Sequence, residues 1–389
     1  MHKALLIFGT RPEAIKMAPL FLELKKSKHF EPIVVVTAQH REMLDQVLKI
    51  FNIEPDFDLD IMKPGQSLEG ITIRALEGLC NIIKRVNPSI VLVQGDTTTT
   101  YVGALAAFYH KIAVGHVEAG LRTYDKFNPY PEEINRKMTT CLADLHFAPT
   151  ITSFNNLIKE NVKKEDIYIT GNTVIDSLLH ISKRDYDFPP ILNSIINSPL
   201  RKILVTAHRR ENWDEMKNIF QAIKKLVENF DDIHIIFPVH MNPKIRFDAQ
   251  NILGNNSRVS LLEPLDYEAF IHVMKNCYLI LTDSGGVQEE APSLGIPVVV
   301  MRKTTERPEA LKANAVVLSG TDGEKIYDTA ARLLSDKTFY LSMKKKLNPY
   351  GDGRASFRIL RSLEYFFKLS SERPEDFRYD YDDNLISET

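Results

Sequence analysis

The sequence predicts an α/β protein of two doubly wound domains facing each other across a cleft. Short apolar runs of strand length alternate with amphipathic helical stretches along nearly the whole chain, which is the order of a parallel sheet crossed by helices. The second half also opens as the first does: KILVT at Lys202 to Thr206 leads into a polar turn and a helix, as KALLIF does at Lys3 to Phe8. Finally, 389 residues suffice for two cores of ordinary size. The expected division is a first Rossmann-like domain over 1–172, a second over 173–367 and an acidic tail over 368–389, with the last helix packing back on the first domain.

Lys3 to Phe8 is a buried strand cut off by Gly9-Thr10-Arg11, and Pro12 stands where a first helical turn tolerates a missing N–H. The helix from Glu13 to Lys26 follows. Neither G-x-G-x-x-G nor G-x-x-x-x-G-K-[ST] occurs here, which disfavours a nicotinamide dinucleotide or direct ATP chemistry. Arg11 and Lys16 supply fixed cations near the helix start. Ile33 to Thr37 is the second strand, followed by Gln39-His40-Arg41-Glu42-Met43 and a helix through Leu48. Asp56 to Ser67 reads as a surface loop and Ile71 to Arg85 as a helix. Ile90 to Val93 is a strand ending at Asp96, with a helix over Tyr101 to Tyr109. Ala113 to Val117 is the next, ending at Glu118, and Pro131-Glu132-Glu133 opens another helix. Leu145 to Ala148 reads as the last strand of this half.

Asp96, Glu118 and Glu132 thus come from two strand ends and a helix start on one rim of the sheet. Each alone reads as a cap or a loop ion pair, Asp96 as a helix cap. Converging carboxylates would separate into acid and base roles. A metal site from His116, Glu118 and His146 matches no ligand spacing, and no metal is expected.

In the second half, Tyr186 to Ser198 reads as a loose connector. Lys202 to Thr206 is a strand leading to His208, Ile233 to Phe237 and Val259 to Leu262 are further strands, and a helix containing Phe270 follows Leu265. Tyr278 to Leu281 then delivers the chain to Asp283-Ser284-Gly285-Gly286, a tight turn before a helix from Val287 to Leu294. Glycine backbone and a helix start suit an anion, phosphate or diphosphate, although an ordinary Gly-rich crossover loop reads the same. Val298 to Met301 and Val316 to Leu318 are strands, and helical pattern covers Glu324 to Leu334 and Phe357 to Phe367. The tail from Lys368 is poor in aliphatics and expected to be peripheral or disordered.

Composition narrows the partners. Hydrophobic content of 44% and charged content of 26% are those of a globular protein, and a net charge of −2 offers no footprint for nucleic acid or an anionic membrane. Cys80, Cys141 and Cys277 form no C-x-x-C pair, which fits a reducing compartment, and the N-terminal apolar run is too short for a signal peptide or a span. A cytoplasmic location is expected.

Six ordered blocks then resemble one family. They are GTRPEAIKMAPL (Gly9 to Leu20), QGDTTTT (Gln94 to Thr100), GHVEAGLRT (Gly115 to Thr123), PEE (Pro131 to Glu133), HRREN (His208 to Asn212) and the run from TDSGGVQEEAPSLGIPV to TTERPEA. The family is the non-hydrolysing UDP-N-acetylglucosamine 2-epimerases. The resemblance implies a glycosyltransferase-B architecture, no cofactor, and interconversion of UDP-N-acetylglucosamine and UDP-N-acetylmannosamine by elimination of UDP to 2-acetamidoglucal and re-addition. It implies Asp96, Glu118 and Glu132 as the acid/base set and His208 near the leaving group or sugar. Arg11 and Lys16 would act on the substrate. Ser284, Gly285, Gly286 and Glu290 would hold diphosphate and ribose, Arg307 would add a nucleotide contact, and Leu265 with Phe270 would bound the uracil. Gln39, His40, Glu42 and Met43 lie in a segment that resembles the block contacting a second UDP-N-acetylglucosamine as allosteric activator, with Glu42 standing where Gln is often found, and the presence of this block favours the family over its hydrolysing relatives. A homodimer feeding envelope or capsule polysaccharide synthesis is expected. A hydrolysing epimerase, a glycosyltransferase and a catalytically silent sugar-nucleotide sensor are the alternatives.

Overall fold

The computed structural model describes residues 1–38, 41–62, 65–305, 307–344 and 348–379. Within them the chain forms two parallel sheets. The first contains β1 (His2–Phe8), β2 (Phe30–Val36), β3 (Phe57–Asp58), β4 (Ile90–Gln94), β5 (Ala113–Val117), β6 (Leu145–Ala148) and β7 (Ile167–Ile169), in the order β3-β2-β1-β4-β5-β6-β7. The second contains β8 (Arg201–Thr206), β9 (Ile233–Pro238), β10 (Val259–Leu262), β11 (Leu279–Thr282), β12 (Val298–Val300) and β13 (Val316–Leu318), in the order β10-β9-β8-β11-β12-β13. Both are doubly wound, as expected. Strand order reverses beside β1 and beside β8, so the turns after β1 and β4, and after β8 and β11, open the crevices where such sheets bind ligands.

The strands are continuous apolar runs because both faces are covered by helices: Ala4 to Phe8 are at most 1% exposed. In the first sheet Leu5, Ile7, Val91 and Val93 pack with Ala75, Leu79 and Ile83 of the helix Leu68–Val86. In the second, Val205, Ile235, Phe237 and Leu281 pack with Ile219, Phe220 and Ile223 of the helix Met216–Asn229. No described helix is long and apolar enough to cross a membrane.

Several local readings differ. The stretch Asp56 to Ser67 contributes β3, a two-residue edge strand with Val35 opposite Phe57 and Val36 opposite Asp58. Such a length leaves no alternation to read. Leu145–Ala148 is not the last strand of its half, since Ile167–Ile169 pairs beyond it as β7. The connector after Tyr186 holds a short helix, Pro190–Ile196, started by its own proline.

The chain divides into two compact units, Met1–Ser177 with the segment from Tyr350 onward, and Leu178–Pro349. The division falls inside the helix Thr173–Ser182 rather than before it at Asn172, because the first turns of that helix are tied to the returning chain. The N–H of Asn172 donates to the Tyr350 carbonyl at 2.6 Å. Asp176 accepts from the N–H groups of Ala355 (3.1 Å) and Ser356 (2.7 Å), capping the helix Ala355–Phe366. Burial pushes the Asp176 carboxyl up to about 6.

The first part of the tail is peripheral, and it seals the outer edge of β7. Phe377 donates its N–H to the Ile169 carbonyl at 2.6 Å, and Asp376 Oδ1 accepts from the Ile169 N–H at 2.8 Å. Arg373 donates to the Ile167 carbonyl at 2.5 Å, and the Phe377 ring is buried with Ile151 and Ile169. Edge groups that would otherwise be bare are thereby paired.

Candidate active site

In the first unit the turn after β1 is organised by a carboxylate that sequence reading passed over. Glu13, 2% exposed, reaches back from the first turn of the helix Arg11–Lys26. It accepts from the N–H of Gly9 (3.0 Å) and Thr10 (2.7 Å) and from the hydroxyls of Thr97 (2.6 Å) and Thr100 (3.1 Å). Burial raises its pKa above the ordinary value, although these donors pull against it. Gly9 has no room for a side chain, since a Cβ there would lie 2.0 Å from Thr37 Oγ1. The turns after β1 and β4 are therefore welded together. Arg11, half-buried, makes no hydrogen bond or ion pair with a described residue.

Glu118 follows β5 with φ of 65°, a left-handed conformation uncommon outside glycine. Its side chain is only 6% exposed and pairs with Lys16. It also accepts from Asn172 Nδ2 at 2.8 Å and from Gln94 Nε2 at 2.5 Å. Both oxygens are therefore engaged. Beneath it, His116 Nε2 lies 2.7 Å from the Gly95 carbonyl, so the ring donates there and holds the turn that carries Asp96. Burial pushes His116 down to about 4 and its neighbour His146 to about 3, leaving both neutral.

Asp96 is not a helix cap. Thr97 takes that role, accepting from the Thr100 N–H at 3.2 Å, and the Asp96 carboxylate turns instead to the helix Glu132–Leu142. Its Oδ2 accepts from Arg136 Nε (3.0 Å) and Nη2 (2.7 Å), and its main-chain carbonyl accepts from Asn135 Nδ2 at 2.9 Å. Oδ1 accepts nothing from the described residues. Glu132, at the start of the same helix, has a buried Oε2 with no partner among the described residues. Glu133, fully buried, accepts from the N–H of Thr123 (3.1 Å) and Tyr124 (3.0 Å) and from Arg136 Nη1 (3.0 Å). Burial would raise Glu133, but those donors together hold its pKa below the ordinary value. Lys16 and Glu118 are thus in direct contact, whereas Asp96, Glu118 and Glu132 are not hydrogen-bonded to one another.

In the second unit the turns after β8 and β11 meet at Asp283, which is fully buried. It accepts from the N–H of His208 and of Arg209, each at 2.9 Å, and from Asn212 Nδ2 at 3.2 Å. His208 Nδ1 lies 3.2 Å from Asp283 Oδ1 while the imidazole is 47% exposed, so one face of the ring is fixed and the other is available. Ser284 precedes the short helix Gly285–Glu290. Arg307 packs directly on Gly285, where a Cβ would come within 2.4 Å of Nη1 and would push the guanidinium aside. Arg307 Nε donates to Glu289 Oε1 at 2.6 Å, which lays the guanidinium over the turn. A Cβ on Gly286 would sit 3.8 Å from Glu290 Oε2, and Glu290 accepts from the Tyr267 hydroxyl at 2.8 Å. Leu265 and Phe270, both half-buried, flank the start of the helix Tyr267–Lys275.

Glu42 and Met43 lie exposed in the first turn of the helix Arg41–Ile50. Gln39 and His40 lie outside the described residues.

Residues 22–364 match the family model for UDP-N-acetylglucosamine 2-epimerase. A Bacillus subtilis (strain 168) UDP-N-acetylglucosamine 2-epimerase is 54% identical over 96% of this chain and 98% of its own length. The chain belongs to the UDP-N-acetylglucosamine 2-epimerase family. Solved structures agree in fold: the S. aureus MnaA–UDP co-structure superposes with a TM-score of 0.87 at 47% identity, covering 97% of this chain and 100% of that one. A Neisseria meningitidis UDP-GlcNAc 2-epimerase bound to UDP-GlcNAc gives 0.83 at 46% identity, covering 93% and 99%. The parts played by Glu13, Asn172, Asn135 and Arg136 emerge only from the folded structure. Glu13 stood inside GTRPEA and Asn172 inside the expected hinge. Nothing in their spacing linked them to Asp96 or Glu118, because those contacts span turns of different strands.

Proposed function

We propose that the protein interconverts UDP-N-acetylglucosamine and UDP-N-acetylmannosamine without net hydrolysis. A base takes the C2 proton as the C1–O bond breaks. The electron pair of C2–H forms the C1=C2 bond of 2-acetamidoglucal, and UDP departs with the C1–O pair. Re-addition of UDP with a proton delivered to the opposite face of C2 gives the epimer. One observation carries the reading. In a rim whose other carboxylates are satisfied, Asp96 Oδ1 and Glu132 Oε2 accept nothing from the described residues, as a proton acceptor and a proton donor require.

In this account Glu118 anchors Lys16 and stays in the acid/base set through its position, while Arg11, with no partner among the described residues, answers the developing negative charge of the leaving diphosphate. His208, held by Asp283, serves the leaving group or the sugar. The main chain of Ser284, Gly285 and Gly286 holds the diphosphate, Glu290 the ribose and Arg307 the nucleotide, with Leu265 and Phe270 against uracil. The block Gln39, His40, Glu42 and Met43 is the proposed contact for a second UDP-N-acetylglucosamine as activator. Ile73, Phe108, Tyr109, Ile134 and Met138 leave an exposed apolar face on the neighbouring helices Leu68–Val86, Thr98–Tyr109 and Glu132–Leu142, which suits the proposed homodimer. The proposed setting is cytoplasmic supply of polysaccharide precursors.

Product analysis from UDP-N-acetylglucosamine tests the reading. Two UDP-sugars at a steady ratio with only trace free UDP is the expected result. Stoichiometric release of UDP and N-acetylmannosamine would establish the hydrolysing reaction instead.

A further inference from the structure

We infer that Arg136 is the positioning residue of Asp96, and the inference rests on the reading of Asp96 as an acid/base group. The guanidinium is itself fixed from behind. Nη1 donates to Glu133 Oε2 at 3.0 Å, and Glu133 is anchored on the N–H groups of Thr123 and Tyr124. Its Nε and Nη2 both converge on one oxygen of Asp96, Oδ2, at 3.0 and 2.7 Å. An ion pair serving stability alone would reach its best energy in the two-on-two fork between guanidinium and carboxylate. Here the fork closes on a single oxygen and leaves Oδ1 without a partner among the described residues.

The helix adds a second grip. Asn135 holds the Asp96 carbonyl at 2.9 Å, and Glu132 begins the same helix. Positions i, i+3 and i+4 share a helical face, so Glu132, Asn135 and Arg136 form one patch. Asp96 is therefore registered to the helix that bears Glu132 and not merely to its own turn. The consequence is a fixed spacing between the two carboxylates that keep an oxygen unpartnered among the described residues. A displacement of about 1 Å at such a group costs on the order of a hundredfold in rate.

The test uses full-length Arg136→Ala, Arg136→Lys, Asn135→Ala and Asp96→Asn proteins. Melting temperature, UDP affinity, kcat and KM are measured, with guanidinium added back against sodium chloride at equal ionic strength. Arg136→Ala is expected to lower kcat by on the order of a hundredfold with KM within a few-fold of wild type. Arg136→Lys should fall between, and guanidinium but not sodium should restore part of the loss in Arg136→Ala and none in Asp96→Asn. Wild-type kcat in Arg136→Ala overturns the inference, as does a loss that guanidinium leaves unchanged. Should Arg136→Ala fail to fold, Arg136→Lys and Asn135→Ala decide: lowered kcat at unchanged melting temperature supports positioning, and wild-type kcat in both removes it. Asp96→Asn separates the two levels. Wild-type turnover there removes the acid/base reading itself, whereas an inactive Asp96→Asn beside a fully active Arg136→Ala removes positioning alone.

Discussion

Asp96 and Glu118 stand at neighbouring strand ends, yet they are held in opposite ways. Glu118 has donors on both oxygens, from Lys16, Gln94 and Asn172, whereas among the described residues Asp96 is gripped on one oxygen only. Asp96→Asn should therefore lower turnover by a factor of about a hundred to ten thousand while UDP affinity, read by calorimetry, survives. The buried histidines make a separate prediction. His116 and His146 are held down to about 4 and about 3, while in the unfolded chain each protonates near pH 6.5. The unfolded state thus binds more protons below pH 6.5, so stability present above that value is lost as the pH falls toward the folded pKa of each. Between pH 6.5 and 5 each histidine accounts for about 2 kcal/mol. His146→Gln should visibly flatten the decline in urea-unfolding free energy between pH 7 and 5, and an unchanged slope would show that His146 does not drive it. The candidate carboxylates themselves were legible in the sequence because strand ends and helix starts announce themselves. Their holders, Arg136 and Asn172, were not, because nothing local distinguishes a surface arginine from one folded against a turn.

Elements were read well where burial dictates sequence and poorly where pairing alone does. Continuous apolar runs such as Leu5 to Phe8 mark strands covered on both faces, while β3 and β7 are short edge strands whose existence depends on the neighbour they pair with. The cap after β4 was left open for a similar reason: Asp96 and Thr97 are both good caps, and Thr97 takes the role while Arg136 holds the aspartate. The Gly285 turn was read from its glycines, but not the Arg307 guanidinium that packs on it, 2.4 Å from where a Cβ would stand. Gly285→Ala should displace that side chain and weaken UDP binding by about tenfold, the worth of one charged hydrogen bond. Unchanged UDP affinity would mean that Arg307 takes no part in holding the nucleotide.

At the scale of the molecule, the repeat of strand, polar turn and helix at Lys3 and Lys202 predicted two doubly wound sheets, and both strand orders follow that plan. The tail's contacts were not legible. Its acidic composition concealed one phenylalanine, Phe377, and a backbone that completes the edge of β7. A chain ending at Leu369 should lose about 1.5–3 kcal/mol from the Phe377 ring alone and expose β7 to self-association. An identical melting temperature and a clean monodisperse profile would refute that role for the tail. The chemistry proposed for the whole protein makes a sharper demand, since every turnover must break and remake the bond to hydrogen at C2. An NMR time course with UDP-N-acetylglucosamine in D2O follows that bond directly. The account predicts deuterium at C2 of both UDP-sugars as they approach equilibrium, and epimerised product that retains its original C2 hydrogen would contradict it.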